Sequence, residues 1–281
     1  MKVIRDPGKL SRLLKKPSFK GKSIGFVPTM GALHAGHLSL INQARKDNDI
    51  VIVSIFVNPA QFGPKEDLRK YPRMLNSDLV LCSKAGVDFV FFPSVKSIYP
   101  KGYSTYVFVE DLSNLLCGLS RPGHFRGVAT IIAKFLNIIG PCMLYLGQKD
   151  AQQAVIVKKM VEDLNFPVKV KIMPIVRQDD GLALSSRNIY LTDKQKVDAV
   201  VLSKALGLAK LLFKGGIRDT ARIISRMSQL ISKKQAKVDY ISIVDLKKLE
   251  KIRKINQDCL IILAVKFGNT RLIDNLVIKY D

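Results

Sequence analysis

The chain has three histidines, and two of them, His34 and His37, stand three residues apart in "PTMGALHAGHLSLI" (28–41). Imidazole titrates near neutrality and its ring N–H can donate to an anion, so such a pair can stabilise or protonate a phosphate oxygen. The apolar run "SIGFV" precedes the stretch, and an amphipathic run to about Asp47 follows it. Both imidazoles therefore fall at a strand-to-helix turn. The start of that helix should offer backbone N–H groups and the positive end of its dipole, where phosphate binds. Gly31 and Gly36 let the backbone approach such a group where a side chain would obstruct it.

The elements that must position these groups alternate between strand and helix. "DIVIVSIFVN" is apolar on every face, as expected of a central parallel strand covered on both sides. A Pro-rich loop leads to a helix over 75–85 and to the strand-like "VDFVFFPS". "VATIIAKFLNIIG" has helical length, "MLYLGQKD" is a strand with a polar exit, "AQQAVIVKKMVEDLN" is a helix and "VKVKIMPIV" closes the series. This βα repetition predicts an α/β domain over residues 1–180, a doubly wound, Rossmann-like parallel sheet. Ligands of such sheets bind beyond the carboxyl ends of the strands. The polar groups at those exits are His34 and His37, Asn58 and Gln61, and Gln148 to Asp150.

After "IVRQDDGLALSSRN" the texture changes. Thr192 with Gln195 is a capping-box pattern that opens a helix to about Phe213, and Gly215–Gly216 ends it. A second helical run to about Lys233 and the strand-like "VDYISIV" and "CLIILAVKF" follow. These predict a smaller α+β domain over 181–281 that closes over the site, with Gly181 as the flexible point.

Composition excludes several classes. Apolar residues are 47% and charged residues 25% of 281, the profile of a globular protein with ample core. No apolar run approaches the ~20 residues of a membrane span. The basic N-terminus lacks an apolar core or cleavage site, and reads as a cytoplasmic start. The four cysteines, Cys82, Cys117, Cys142 and Cys259, form no C-x-x-C pair, so neither a zinc site nor a disulfide framework is expected. The net charge of +23 is spread over both halves, and neither tryptophan nor an RNP-like aromatic motif accompanies it. Attraction of a polyphosphate is the reading favoured over nucleic-acid binding.

"HAGH" after a strand matches the H-x-G-H signature of the nucleotidyltransferase superfamily. With "VSIFVNPAQF", "RPGHFRGVATII", "GQKDAQQ" and "DGLALSSRN" in this order, the chain resembles the pantoate–β-alanine ligases over most of its length. The resemblance implies a two-step reaction. The carboxylate of (R)-pantoate attacks the α-phosphorus of ATP, giving pantoyl adenylate and pyrophosphate. The amine of β-alanine then displaces AMP to give pantothenate. ATP with Mg2+ is a substrate, no tightly bound cofactor is needed and no metal ligands are assigned. A cytoplasmic homodimer is implied, with no nucleic acid or membrane as partner.

The resemblance also carries over site residues. His37 is the proton donor and His34 its companion, with Lys149, Ser185, Ser186 and Arg187 completing the catalytic set. ATP is assigned to Met30, Gly31, Ala32, Leu33, His34, Ala35, Gly36 and His37, to Gly147, Gln148, Lys149 and Asp150, to Val176, and to Leu184 with Ser185, Ser186 and Arg187. "LSSR" takes the place of the KMSKS loop of related enzymes, where two hydroxyls and a guanidinium grip a triphosphate. Gln61 and Gln153 are assigned to pantoate, and Gln61 also to β-alanine. Amides suit that role because they both donate and accept. Met30 and Phe56 either pack against the dimethyl group of pantoate or fill core. The "RPGHFRG" loop, with Arg121, His124 and Arg126, is set beside the site without an assigned role. Gln148 and Ala151 depart from the expected acidic and aromatic residues.

Two other functions fit parts of the pattern. Another H-x-G-H nucleotidylyltransferase would transfer a nucleotide with no need for an amine. A basic RNA-binding protein on the same fold would bind with steep salt dependence.

Overall fold

In the computed structural model, which describes residues 1–64 and 66–280, the apolar run at 50–55 is strand β3 (Ile50–Ile55), buried at all six positions. The other strands of its sheet are β1 (Lys2–Ile4), β2 (Ile24–Thr29), β4 (Phe89–Phe91), β5 (Cys142–Gly147) and β6 (Val168–Met173). All pairings are parallel, in the order β1-β4-β3-β2-β5-β6. The intervening helices are α1 (Pro7–Leu14), α2 (Ala35–Asp47), α3 (Leu75–Lys84), the short α4 (Val95–Ile98) and α5 (Cys117–Ser120), then α6 (His124–Ile139) and α7 (Ala151–Asp163). The doubly wound fold expected from the βα repetition is therefore present.

The period-2 geometry of the strands splits this core in two. Val27, Val51, Val53 and Val90 cluster with Ile41 and Ala44 of α2. Phe26, Phe56 and Phe91 each meet Phe135 of α6 edge-on, with centroids at 5.5–6.0 Å. Strands β2, β3 and β4 progress toward one edge while β5 and β6 progress toward the other. The winding therefore reverses between β2 and β5, and doubly wound sheets bind ligands where it reverses.

The second unit holds α8 (Asp193–Ala199), α9 (Val201–Lys214), α10 (Thr220–Ser232) and an antiparallel sheet of β7 (Lys237–Asp245), β8 (Cys259–Phe267) and β9 (Thr270–Ile278), in that order. Residues of α9 and α10 such as Ala205, Ile223 and Met227 form one core with Ile261, Leu263 and Val265 of β8. The capping box of Thr192 and Gln195 is formed. The single helix expected to reach Phe213 is broken at Val200 into α8 and α9, although Val200 keeps right-handed helical dihedrals.

The division between units differs from one at 180/181. The first unit comprises residues 1–147 and 153–174, and the second comprises 148–152 and everything from 175 onward. The turn at 148–152 and the segment at 175–180 belong with the second unit because side chains of β9 hold them. Five elements are absent from the sequence reading, the short helices α4 and α5 among them. Strand β1 is three residues long and mostly exposed, α1 lies in the stretch read only as a basic start, and β9 buries Asp274 and Asn275 where alternation would place an apolar residue.

Candidate active site

His34 is the N-cap of α2, a place usually held by Ser, Thr, Asp or Asn. Its Nδ1 accepts from the N–H of Gly36 at 3.2 Å, and its own N–H donates to Nδ1 of His37 at 3.3 Å. A ring nitrogen that accepts carries no proton, so each neutral imidazole bears its proton on Nε2. The two rings lie 4.1 Å apart, centroid to centroid. Local backbone thus sets both rings as Nε2–H donors.

The same bonds correct one expectation. The amides at this turn were expected to be open to a phosphate, and those of Gly31, Ala32, Leu33, His34, Gly36 and His37 are engaged within the protein. Gly31 N–H donates to Thr29 Oγ1 (3.1 Å), and Thr29 donates to the carbonyl of Ser54 (2.7 Å). Ala32 and Leu33 N–H donate to Asp78 Oδ2 and Oδ1 at 3.0 and 2.8 Å. His37 N–H returns to the carbonyl of His34. Gly31 and Ala32 both have positive φ, +84° and +50°. A Cβ at Gly31 would stand 2.9 Å from Asp78 Oδ2, so the loop needs glycine there. Met30 and Ala35 flank these residues, half-buried and exposed respectively.

Asp78, on α3, was not anticipated as part of this turn, because nothing in an ordinary helical aspartate predicts a contact with residues more than forty positions earlier. It is 1% exposed. Burial pushes its carboxyl above the usual aspartate range, against the pull of the two backbone donors.

The Gln61 side chain sits where the sequence places it, at the exit of β3, and its amide is held at both ends. Oε1 accepts from Asn58 Nδ2 (3.2 Å), and Nε2 lies 2.8 Å from Met30 Sδ. Met30 and Gln61, assigned to different ligands, are thus in contact. Asn58 is buried and further tied to Gly127 O (3.0 Å) and to Tyr99 Oη, which donates to its Oδ1 at 2.8 Å. A Cβ at Gly127 would meet the Ala60 carbonyl at 2.2 Å, so glycine in α6 is what lets the turn Pro59–Gln61 lie against that helix. Phe56 is 5% exposed and packs among Tyr99 and Phe135.

His124 acquires a partner set. Arg121 Nη1 lies 2.9 Å from His124 Nε2, and arginine only donates, so Nδ1–H donates to the Gln61 carbonyl at 2.7 Å. Arg121 is itself forked onto Glu66, Nε to Oε1 at 2.7 Å and Nη2 to Oε2 at 2.5 Å. Burial raises the Glu66 pKa, but Arg121, together with His124 and the Gly63 backbone, holds the carboxyl below its usual range. Arg126 instead stacks over Tyr106, 4.6 Å from the ring centroid. Gln153 lies half-buried in the first turn of α7, beyond Gly147 at the end of β5.

In the second unit, Gln148–Asp150 form one 3₁₀ turn. Lys149 Nζ stands 3.8 Å from Asp150 Oδ1, a long ion pair. Val176 accepts the Leu184 N–H at 3.0 Å, closing a loop that ends in Ser185. Ser185 Oγ caps the 3₁₀ helix Ser186–Tyr190 by accepting the Arg187 N–H at 3.3 Å. Ser186 and Arg187 are half-buried in its first turn. Among the described residues no group of three or more His, Cys, Asp or Glu is arranged to hold a metal ion. Burial pushes the thiols of Cys82 and Cys142 up to about 12 and that of Cys259 to about 11, which leaves them protonated and poor nucleophiles at neutral pH.

Comparison with known proteins decides the family. The sequence model of pantoate-beta-alanine ligase matches residues 2–277. This chain belongs to the pantoate–β-alanine ligase family. It is similar to the pantothenate synthetase of Fervidobacterium nodosum, at 51% identity over 99% of this chain and 100% of the relative. That of Moorella thermoacetica is 53% identical over 93% of each. The crystal structure of pantothenate synthetase from Thermus thermophilus aligns with a TM-score of 0.93 at 41% identity, covering 98% of this chain and 99% of that one. The ligase from Francisella tularensis, in complex with beta-gamma ATP and beta-alanine, aligns with a TM-score of 0.82 at 37% identity, covering 99% and 97%. No described helix of this ligase-family chain is long and apolar enough to cross a membrane.

Proposed function

We propose that this protein condenses (R)-pantoate with β-alanine through a pantoyl adenylate, consuming MgATP and releasing AMP and pyrophosphate. The observation that carries this reading is the pair of imidazoles whose Nε2–H groups are set as donors at the turn leaving β2. In the first step a pantoate carboxylate oxygen attacks the α-phosphorus and the bond to pyrophosphate breaks. Negative charge grows on the leaving oxygens, and His37 and His34 donate to it. Lys149, Ser185, Ser186 and Arg187 are assigned to the phosphates and Asp150 to the ribose. In the second step the β-alanine amine attacks the acyl carbon, loses a proton and expels AMP.

Gln61 and Gln153 are assigned to pantoate. Gln61 is pre-oriented, because Asn58 fixes its Oε1 and the His124–Arg121–Glu66 chain fixes its backbone. Preorganisation of this kind removes the need to order the group as the reaction proceeds. Mg2+ enters with ATP as part of the substrate, which suits a cation that retains several waters and one or two phosphate contacts. The buried thiols supply no competing nucleophile, and acyl transfer through AMP needs none from the protein.

A cytoplasmic homodimer belongs to the same reading, and light scattering of the purified chain tests the dimer. The activity is tested by AMP release with pantoate and MgATP, with and without β-alanine. Steady AMP release only with β-alanine is expected. Turnover of nucleotide with no amine requirement would reject the ligase in favour of a nucleotidylyltransferase.

A further inference from the structure

We infer that Asn275 of β9 is a positioning residue that fixes the backbone of Lys149. The inference rests on the proposed role of Lys149 in adenylate formation. Asn275 is 1% exposed, and every hydrogen-bonding group of its side chain is used. Nδ2 donates to the Gln148 carbonyl at 2.8 Å and to the Lys149 carbonyl at 3.1 Å. Oδ1 accepts from Gln148 Nε2 at 3.2 Å. The two carbonyls belong to the two peptide planes that flank the Lys149 Cα. Peptide planes are rigid, so holding both fixes φ and ψ of Lys149 and the direction in which its side chain leaves the backbone. The Gln148 side chain, which departs from the acidic residue expected there, completes the clasp as its donor.

Asp274, the preceding residue, serves the neighbouring loop in the same manner. It is also 1% exposed, and its carboxylate accepts from Arg177 Nη1 and Nη2 at 2.6 and 2.8 Å and from the Asn275 N–H at 2.8 Å. Arg177 Nη1 reaches on to the Gly181 carbonyl at 3.1 Å, and Arg177 pairs with Ala183 just before "LSSR". Two consecutive buried polar residues therefore hold the two segments of the second unit that carry its assigned phosphate ligands. Buried polar groups that are fully satisfied impose one arrangement, and removing one partner leaves the others unpaired. A bland structural role predicts only lower stability. A positioning role predicts a rate effect transmitted through Lys149.

The test is a double-mutant cycle on single-turnover adenylate formation with pantoate and MgATP. Asn275→Ala should slow this step ~10-fold or more, since ~1 Å of misplacement can cost ~10²-fold. In a Lys149→Ala background the same substitution should cost less than ~2-fold, because the group it positions is gone. Gln148→Ala, at a half-exposed site, removes one bond of the clasp. It should show a smaller loss that is likewise erased by Lys149→Ala, and it serves if Asn275→Ala does not fold. Losses that multiply independently in the double variants would overturn the inference while leaving the ligase reading intact. A Lys149→Ala enzyme as fast as wild type would overturn it too. A wild-type protein that forms no adenylate would overturn the ligase reading and this inference together.

Discussion

His34 and His37 determine each other's chemistry: the backbone N–H of His34 donates to Nδ1 of His37, and the rings stand 4.1 Å apart. The first prediction follows from that bond. His37→Ala removes a preset Nε2–H donor and the Nδ1 that accepts from the His34 amide. Adenylate formation should fall by ~10²–10³, the usual loss for one charge-stabilising donor. Melting temperature should change little, since the ring is half-buried and contributes little core. A variant that forms adenylate at the wild-type rate would remove His37 from the mechanism.

Asp78 gives a pH prediction with a defined sign. Burial raises its folded pKa, so the native state binds the proton more tightly than the unfolded chain. Between the ordinary aspartate value near ~3.9 and the raised one, lowering the pH therefore favours folding as far as this group is concerned. Function moves the other way. A protonated carboxyl cannot accept equally from both Ala32 and Leu33, so the loop bearing His34 loosens. Adenylation should decline on the acid side as pH falls through the raised pKa, without a matching loss of stability from Asp78. Asp78→Asn sets an NH2 group against one amide, lowering the rate at every pH and removing that acid limb. Rate profiles and melting curves for both proteins check this, and superimposable acid limbs would count against it.

These two residues mark what was legible in the sequence. The H-x-G-H spacing, the fully apolar β3 and the capping box at Thr192 are local patterns, and local patterns survive in a string of letters. Asp78, Asn58 and Asn275 act across 45, 69 and 127 positions respectively, through bonds to backbone groups of Leu33, Gly127 and Gln148. A backbone partner, whether N–H or carbonyl, leaves no residue-type signature, so no spacing could have revealed these ties. Strand β9 was missed for a related reason. Its two buried polar residues interrupt the alternation that marks a strand, and they do so because they have partners in other segments.

The third prediction separates pantoate contacts from nucleotide contacts. Gln153 lies in α7 of the first unit and Asp150 in the turn that belongs to the second. Gln153→Ala should weaken pantoate binding ~10-fold with little change for ATP, about the loss of one or two hydrogen bonds. Asp150→Ala should weaken ATP more than pantoate if the carboxylate holds the ribose. Calorimetric titration of each variant with each ligand decides the matter, and equal losses for both ligands would reject the assignment.

A fourth prediction concerns the chain from Glu66 through Arg121 and His124 to Gln61. His124→Phe keeps a ring of similar size but cannot donate to the Gln61 carbonyl, which then keeps the 3.4 Å contact from Arg121. KM for pantoate should rise several-fold while the rate of adenylation at saturating pantoate changes less. His124→Asn, which can still donate to that carbonyl, should restore part of the loss. Equal behaviour of the two variants would mean that the ring, not its proton, is what matters there.

The last prediction concerns Arg187. Ser185 caps the 3₁₀ helix through the Arg187 N–H, so the serine has a structural role that does not depend on nucleotide. The guanidinium is the part whose contribution is open to measurement. If it meets the triphosphate mainly as charge builds in the transition state, its loss lowers kcat more than it weakens ATP binding. Arg187→Ala should then reduce single-turnover adenylation by ~10² or more at saturating ATP. Arg187→Lys keeps the charge without the planar fork, and should recover only part of the rate. Rapid-quench measurement at saturating ATP removes any binding defect from the comparison. An Arg187→Ala enzyme that matches wild type under those conditions would reduce "LSSR" to a capped turn, and the phosphate contacts of the second unit would then rest on Lys149 alone.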